Sequence, residues 1–412
     1  MKNALLIVVL AAGTGAFAQD SLDIKIGQMI LTGFPKAEVD PTLLESVRKG
    51  KVGSIIIFEK NIPTKNSYLA LKKITWAYQQ AAPIPLFIAI DQEGGRVNRL
   101  KEKYGFPRSV SAATLGKSAL DSVRFYGQIT ASTLAGLGIN MNFAPVVDLA
   151  SNPDNPIIAK VERAFSKNAD SVSRYAEAFI REHRQLGVFT ALKHFPGHGS
   201  SMTDTHLDMT DVTNTWGEQE LTPYVKLIQN GLVDAVMTAH IVNARLDPNK
   251  LPATLSLPII NGLLRTQLKF DGVVFSDDMQ MHAIAKHYAL EESIKLAILA
   301  GVDILCFTNN IQGSQERTVD KVHAIIRTFV QDGTIPASRI DESYRRIMAL
   351  KKRMAGNATD YYKREWVKLQ DRLADREAEL EQALKQLNAK NQEITELQLE
   401  KEQRSGKKKK KK

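Results

Sequence analysis

Short apolar runs alternate with amphipathic stretches along most of the chain. Runs rich in Val, Ile and Phe, typical of buried strands, occupy Ile26–Phe34, Gly53–Phe58, Pro85–Gln92, Met141–Leu149, Phe189–Phe195, Ala235–Val242, Gly272–Met279 and Val302–Phe307. Between them, helical periodicity covers Asn66–Ala81, Asp121–Leu137, Ser171–Gly187, Gln219–Gly231, Leu257–Lys269 and Leu290–Gly301. Strands alternating with helices predict a mostly parallel sheet. Eight such units in one series favour a closed (β/α)8 barrel of the TIM type over an open doubly wound sheet.

The N-terminal residues have the pattern of a secretory signal peptide. Lys2 precedes an apolar run over 4–12, and Ala16-Phe17-Ala18 forms an A-x-A cleavage site. We therefore predict a signal peptide over 1–18 and an exported protein, periplasmic or extracellular. A buried N-terminal strand or helix is the alternative.

The C-terminal residues form a charged segment unlike the body. The barrel is predicted over 19–355 and a charged helical tail over 356–412, ending in six lysines. Heptad spacing in the tail gives one apolar row, but Arg376 and Lys390 interrupt the partner row, so we expect at most weak self-association. A solvated helix held by Glu–Lys pairs is the alternative. The apolar row consists of Trp366, Leu373, Leu380, Leu387 and Ile394.

Composition and charge exclude several protein classes. Hydrophobic residues make up 43% and charged residues 24% of the chain, which excludes disordered, collagen-like and polytopic membrane proteins. The single cysteine, Cys306, excludes a disulfide framework and a Cys-based zinc cluster. The terminal lysines and Lys2 supply most of the net charge of +10, so the body is near neutral and we expect no nucleic-acid partner.

Acidic and basic residues follow three of the predicted strands, at the end of a barrel where active sites lie. Each has a structural explanation by itself, such as helix capping for Asp278, but their convergence favours an active site. These residues are Asp91 after the third strand, Lys193 and His194 in the fifth, Asp204 and His206 in the glycine-bracketed loop that follows, and Asp277 and Asp278 at the end of the seventh.

Three of these segments resemble glycoside hydrolase family 3, in particular its bacterial β-N-acetylhexosaminidase branch. They read IDQEGGRVNRL, KHFPGHGSSMTDTHLD and VVFSDDMQM, and the resemblance extends over roughly residues 22–354. It implies a carbohydrate substrate and no cofactor. No metal-ligand set emerges from the sequence.

The resemblance also implies a role for each residue. Asp277 would be the nucleophile that forms a covalent glycosyl-enzyme, with Asp278 as the competing assignment. His206 would be the general acid and base, and Asp204 would orient its imidazole. The implied substrate-binding residues are Asp91, Arg99, Arg163, Lys193 and His194.

The implied activity is that of an exo-acting, retaining β-N-acetylhexosaminidase. It would release terminal N-acetylglucosamine from peptidoglycan fragments or chito-oligosaccharides, in keeping with peptidoglycan turnover. A family 3 β-glucosidase or an N-acetylglucosaminide phosphorylase is the alternative among enzymes, since a neutral histidine repels phosphate less than a carboxylate does. A cell-wall-binding scaffold is the non-enzymatic alternative, and the presence of Asp277, Asp204 and His206 together argues against it.

Overall fold

Parallel strands close into a barrel in the computed structural model of the chain, which describes residues 21–205, 207–310, 318–354, 376, 379–387, 389–390 and 393–394. The barrel order is β1-β10-β9-β7-β5-β4-β3-β2, and β6 pairs with β8 in a separate two-stranded sheet. The predicted (β/α)8 architecture is confirmed. In the described ranges the strands are β1 (Ile30–Gly33), β2 (Ser54–Ile57), β3 (Phe87–Ile90), β4 (Met141–Asn142), β5 (Phe189–Phe195), β6 (Thr210–Asp211), β7 (Ala235–Thr238), β8 (Ile241–Val242), β9 (Val273–Asp278) and β10 (Ile304–Phe307).

Helices connect successive barrel strands. The helix Ala169–Gln185 illustrates their origin, because the Asn168 side chain caps its first turn and its apolar face is buried. A π-type segment covers Pro258–Gln267, and a last helix over 337–354 closes the barrel unit. The other helices are Leu22–Gln28, Pro41–Arg48, Ser67–Ala81, Ala112–Leu115, Leu120–Gly136, Thr222–Gln229, His282–Ala285, Leu290–Ala300 and Val319–Gln331.

Three predicted strands differ most from their apolar runs. Ile26 belongs to the helix Leu22–Gln28, which the Ser21 side chain caps, because an apolar run by itself does not distinguish a buried helix from a strand. The fourth strand ends at Asn142, shortly before Pro145, whose nitrogen has no hydrogen to donate. The sixth run divides into β7 and β8, which belong to different sheets.

Aromatic rings fill the interior of the barrel. Phe87 on β3 lies 6.2 Å from Phe275 on β9, and these strands are not neighbours, so the contact crosses the interior. Phe189 and Phe143 extend this cluster, with ring centroids 6.4 Å from Phe87 and 5.2 Å from Phe275 respectively. The interior is thus a packed core.

The helix over 337–354 is held to the barrel by buried charges. Asp303, which is fully buried, accepts hydrogen bonds from Arg265 (2.6 Å), Ser343 (2.8 Å) and the backbone of Val274 (2.9 Å). Lys351 donates to the carbonyl of Gly53 at 2.8 Å. These contacts make the helix part of the barrel unit, which extends to Met354.

The tail is a separate unit that begins at residue 355. Its residues 379–387 are helical, and Leu380, Leu384 and Leu387 are exposed there. The predicted signal peptide and the six terminal lysines lie outside the described residues.

Candidate active site

A cavity of about 570 Å³ opens at the carboxyl ends of the barrel strands. The sequence-predicted residues that line it are Asp91, Arg99, Arg163, Lys193, His194, Asp277 and Asp278. Residues from β3, β5 and β9, and from the loop after β4, therefore meet at one site, as expected for strand ends of a barrel.

Lys193 lies between two carboxylates on one wall of this cavity. Its Nζ is 2.8 Å from Asp91 Oδ1 and 2.7 Å from Glu93 Oε1. Arg99 reaches the second oxygen of Asp91 at 3.2 Å. Burial tends to raise the pKa of Asp91, but the charges of Lys193 and Arg99 outweigh it and lower that pKa. Asp91 is therefore ionised. Its contacts fix the orientations of the Lys193 ammonium group and the Arg99 guanidinium group.

Arg163 continues this set of contacts. Its Nε and one terminal nitrogen each lie 2.8 Å from an oxygen of Glu93, in a bidentate pair. Burial tends to raise the pKa of Glu93, but the charges of Arg163 and Lys193 prevail and lower it to about 2. The Arg163 guanidinium also lies 3.1 Å from His194 Nε2.

A buried aspartate holds His194 from the other side. Asp148 Oδ2 lies 2.6 Å from His194 Nδ1, and Asp148 Oδ1 accepts the backbone N–H of His198 at 2.7 Å. Since Arg163 can only donate, His194 Nε2 accepts and Nδ1 carries the proton toward Asp148. Both ring nitrogens of His194 are thus engaged by protein groups.

The two adjacent acids at the end of β9 have different surroundings. Asp277 is half-buried and lines the cavity. Asp278 is buried, and its carboxyl group accepts hydrogen bonds from the Gln280 backbone at 3.1 Å and from the Thr308 hydroxyl. Burial raises the pKa of Asp278 to about 6. Asp278 therefore organises the turn after β9, while Asp277 faces the open space.

The loop that carries the predicted acid–base pair, called the acid–base loop below, is described over residues 203–205 and 207–210 and lies at the edge of the cavity. His206 falls outside the described residues, but Thr205 and Leu207 on either side of it both line the cavity. Asp204 is half-buried in the same loop. The Ala283 backbone donates to the Thr205 carbonyl at 3.3 Å, which ties the loop to the segment that follows β9.

Two further histidines, His198 and His240, support this arrangement. His198 lies in the cavity lining, and its Nδ1 is 2.6 Å from Ser201 Oγ. His240 is fully buried, with Nε2 2.9 Å from the Asp278 carbonyl and Nδ1 2.8 Å from Thr254 Oγ1. It therefore supports the turn after β9 from inside the protein.

Sequence reasoning missed Glu93 and Asp148 as members of the site. Asp148 lies at the end of the fourth predicted strand, as Asp91 lies at the end of the third, so the strand-end rule indicates both. Glu93 lies only two residues beyond Asp91, but its sequence position does not reveal its pairing with Arg163. That pairing joins two loops that are distant in sequence.

Two properties of the described part of the chain concern metals and membranes. Within it, no group of three or more His, Cys, Asp or Glu side chains is arranged to hold a metal ion. None of its helices combines the length and the apolar character needed to cross a bilayer.

A barrel whose cavity brings carboxylates and cations together at the strand ends fits an enzyme of the glycoside hydrolase class. The family model of the glycosyl hydrolase family 3 N terminal domain matches residues 21–350. The chain therefore belongs to glycosyl hydrolase family 3.

Relatives and solved structures agree with this assignment. The chain is 36% identical to a beta-hexosaminidase of Tolumonas auensis over 283 residues, which are 67% of this chain and 81% of that protein. It is 35% identical to a family 3 beta-N-acetylglucosaminidase of Paenibacillus sp. str. FPU-7, with a TM-score of 0.75 over 82% of this chain and 63% of that one. A beta-N-acetylhexosaminidase of Beutenbergia cavernae is 29% identical, with a TM-score of 0.73 over 81% of this chain and 99% of that one.

Replacing Glu93 by Gln tests the buried ion pairs of the site. Its pKa falls from 4.5 to about 2, so the ionised group stabilises the fold above pH 4.5, and this stabilisation is lost as pH falls through about 2. We expect Glu93→Gln to lower the unfolding free energy by about 3 kcal/mol at neutral pH. Urea unfolding at several pH values should show the two proteins converging as pH falls toward 2. Exposed Glu102→Gln is the control, and a difference independent of pH would contradict the assignment.

Proposed function

We propose that the protein is an exo-acting, retaining β-N-acetylhexosaminidase that releases terminal N-acetylglucosamine from peptidoglycan fragments or chito-oligosaccharides. The observation that carries this proposal is the different environment of two adjacent acids. Asp277 faces the cavity, whereas the carboxyl group of Asp278 accepts hydrogen bonds from the protein. The names of the relatives, beta-hexosaminidase and beta-N-acetylglucosaminidase, supply the substrate class.

In the first half of the reaction, Asp277 attacks the anomeric carbon of the sugar. The glycosidic bond breaks, and His206 gives its proton to the departing oxygen, so a covalent glycosyl-enzyme forms. In the second half, His206 removes a proton from water, which attacks the same carbon and releases Asp277. Two inversions at one carbon leave its configuration unchanged.

The acid–base role of His206 is supported by the placement of its neighbours. Thr205 and Leu207 line the cavity, which brings the loop to the mouth where a leaving group departs. Asp204, two residues earlier, favours the imidazolium form through its negative charge. A histidine titrates near neutral pH and so can act in both halves of the reaction.

The sugar is held by the wall opposite this loop. Asp91 accepts hydrogen bonds from sugar hydroxyls, while Arg99, Arg163 and Lys193 donate to hydroxyl and N-acetyl oxygens. His194 orients Arg163 by accepting from it. Because the cations are already paired with Asp91 and Glu93, little side-chain entropy is lost when substrate binds.

The substrate assignment is tested with 4-nitrophenyl N-acetyl-β-glucosaminide beside the matching β-glucoside. We expect kcat/KM to be at least about a hundredfold higher for the N-acetyl substrate, because the N-acetyl group adds contacts within the cavity. The free sugar should be the product with or without phosphate. Preference for the glucoside, or formation of a sugar phosphate, would overturn the proposal.

The nucleophile is tested by substitution and by labelling. Asp277→Ala should lower kcat by several orders of magnitude and leave the fold intact, because the residue faces open space. A 5-fluoro N-acetylglucosaminyl fluoride should trap the glycosyl-enzyme, and peptide mass spectrometry should place the label on Asp277. A label on Asp278 would contradict the assignment.

We also propose that the protein is exported and that its tail attaches it to anionic surfaces. The near-neutral body and the six terminal lysines support this division, since each lysine near an anionic bilayer contributes about 1 kcal/mol. Deleting residues 407–412 should abolish salt-sensitive sedimentation with phosphatidylserine vesicles and leave hydrolysis of a small substrate unchanged. Neutral phosphatidylcholine vesicles are the control. Retained binding after the deletion would contradict the role of the lysines.

A further inference from the structure

A buried carboxyl group lies directly behind the glycine loop (residues 196–201) that follows β5. Glu220 belongs to the short helical turn Glu218–Leu221 and is only 1% exposed. It is outside the cavity lining, and the reaction described above does not use it. A buried acid needs hydrogen-bond partners. Those of Glu220 belong to loops of the catalytic face.

Glu220 links two loops through hydrogen bonds. Its Oε2 accepts from the Leu149 backbone at 3.1 Å, and its Oε1 accepts from the Ser151 hydroxyl at 3.0 Å, both in the segment after β4. It also accepts from the Gly199 backbone in the glycine loop. One side chain thereby joins the ends of two neighbouring barrel strands.

The glycine loop is shaped to receive this side chain. A Cβ atom at Gly199 would lie 2.7 Å from Glu220 Oε1, and one at Gly197 would lie 2.5 Å from Glu220 Cβ. Gly197 also has a φ of 119°, which side chains disfavour. Both glycines on either side of His198 are therefore needed for Glu220 to approach the loop.

A second buried acid holds the same loop. Asp148 accepts the backbone N–H of His198, while Glu220 accepts that of Gly199. Burial and the adjacent Asp148 charge raise the pKa of Glu220 to about 8. The two acids thus hold adjacent backbone N–H groups of one loop.

Contacts continue from the glycine loop to the acid–base loop. His198 Nδ1 lies 2.6 Å from Ser201 Oγ, and its Nε2 lies 3.4 Å from Thr205 Oγ1. Thr205 directly precedes His206. The position of the His198 ring, and hence of Thr205, depends on the backbone that Asp148 and Glu220 hold between them.

We propose that Glu220 is a positioning residue for the acid–base step: it fixes the glycine loop so that His198 and Thr205 present His206 to the leaving group. This inference rests on the proposed function. Loss of the Glu220 contacts should therefore impair protonation of the leaving group more than attack by Asp277, which lies on a different strand.

The experiment compares two substrates in the full-length protein. N,N′-diacetylchitobiose has a sugar leaving group that requires protonation, whereas 2,4-dinitrophenyl N-acetyl-β-glucosaminide has one that requires almost none. Glu220→Gln keeps the side-chain length but replaces one acceptor oxygen by an amide that cannot accept from a backbone N–H. Glu220→Ala removes all three contacts. Glu218→Gln, on the same turn and exposed, is the matched control.

We expect Glu220→Gln to reduce kcat/KM for the disaccharide several-fold more than kcat/KM for the dinitrophenyl substrate. In Glu220→Ala the ratio of these two losses should rise to about tenfold. His206→Ala should show the same selectivity to a greater degree, and Glu218→Gln should show none. A merely structural role would lower kcat/KM for both substrates by the same factor. That factor would equal the folded fraction, which near-ultraviolet circular dichroism measures.

Equal losses on the two substrates, or no loss, in Glu220→Gln would overturn the positioning role. If Glu220→Ala fails to fold, the Gln variant decides the question by itself. A wild-type enzyme that hydrolyses neither substrate would overturn the proposed function and the role of Glu220 with it. An active wild type with an unselective Gln variant would overturn the role of Glu220 alone.

Discussion

A continuous set of buried ion pairs crosses the mouth of the barrel, and the positions of the side chains that line the cavity depend on it. Lys193 lies between Asp91 and Glu93, and Arg163 joins Glu93 to His194. Charges removed from water are tolerated only when each has partners in good geometry. Every member therefore requires the others, and the site is rigid before any sugar enters it.

Buried acids need hydrogen-bond partners, and this requirement also explains why the two adjacent acids at the end of β9 differ in chemistry. Successive residues of a strand point to opposite sides, so Asp277 and Asp278 cannot share one environment. Asp278 points into the protein, where Thr308 and Gln280 donate to it, and burial raises its pKa to about 6. Asp277 is left half-buried, with access to the cavity.

The catalytic face and the opposite end of the barrel use buried charge for different purposes. At the far end, Asp303 forms ion pairs with arginines of the π-type segment and of the helix over 337–354. These ion pairs hold that helix to the barrel. At the catalytic face, Asp148 and Glu220 hold backbone N–H groups of a glycine loop. The first arrangement secures the fold, whereas the second sets the shape of a loop whose His198 lines the cavity.

The amino-acid sequence by itself determined the barrel and the location of its site. Strands buried on both faces require continuous apolar runs, and the βα connectivity places every strand end at one mouth, so Asp91, Lys193 and Asp277 were predictable as neighbours. Only the tertiary structure decided the strand limits and the parts played by Glu93, Asp148 and Glu220. Their partners lie 70, 46 and 71 residues away in sequence, at Arg163, His194 and Leu149. Such pairings arise because barrel closure buries these groups together, and a buried charge or polar group is stabilised only by the partner that the fold brings to it.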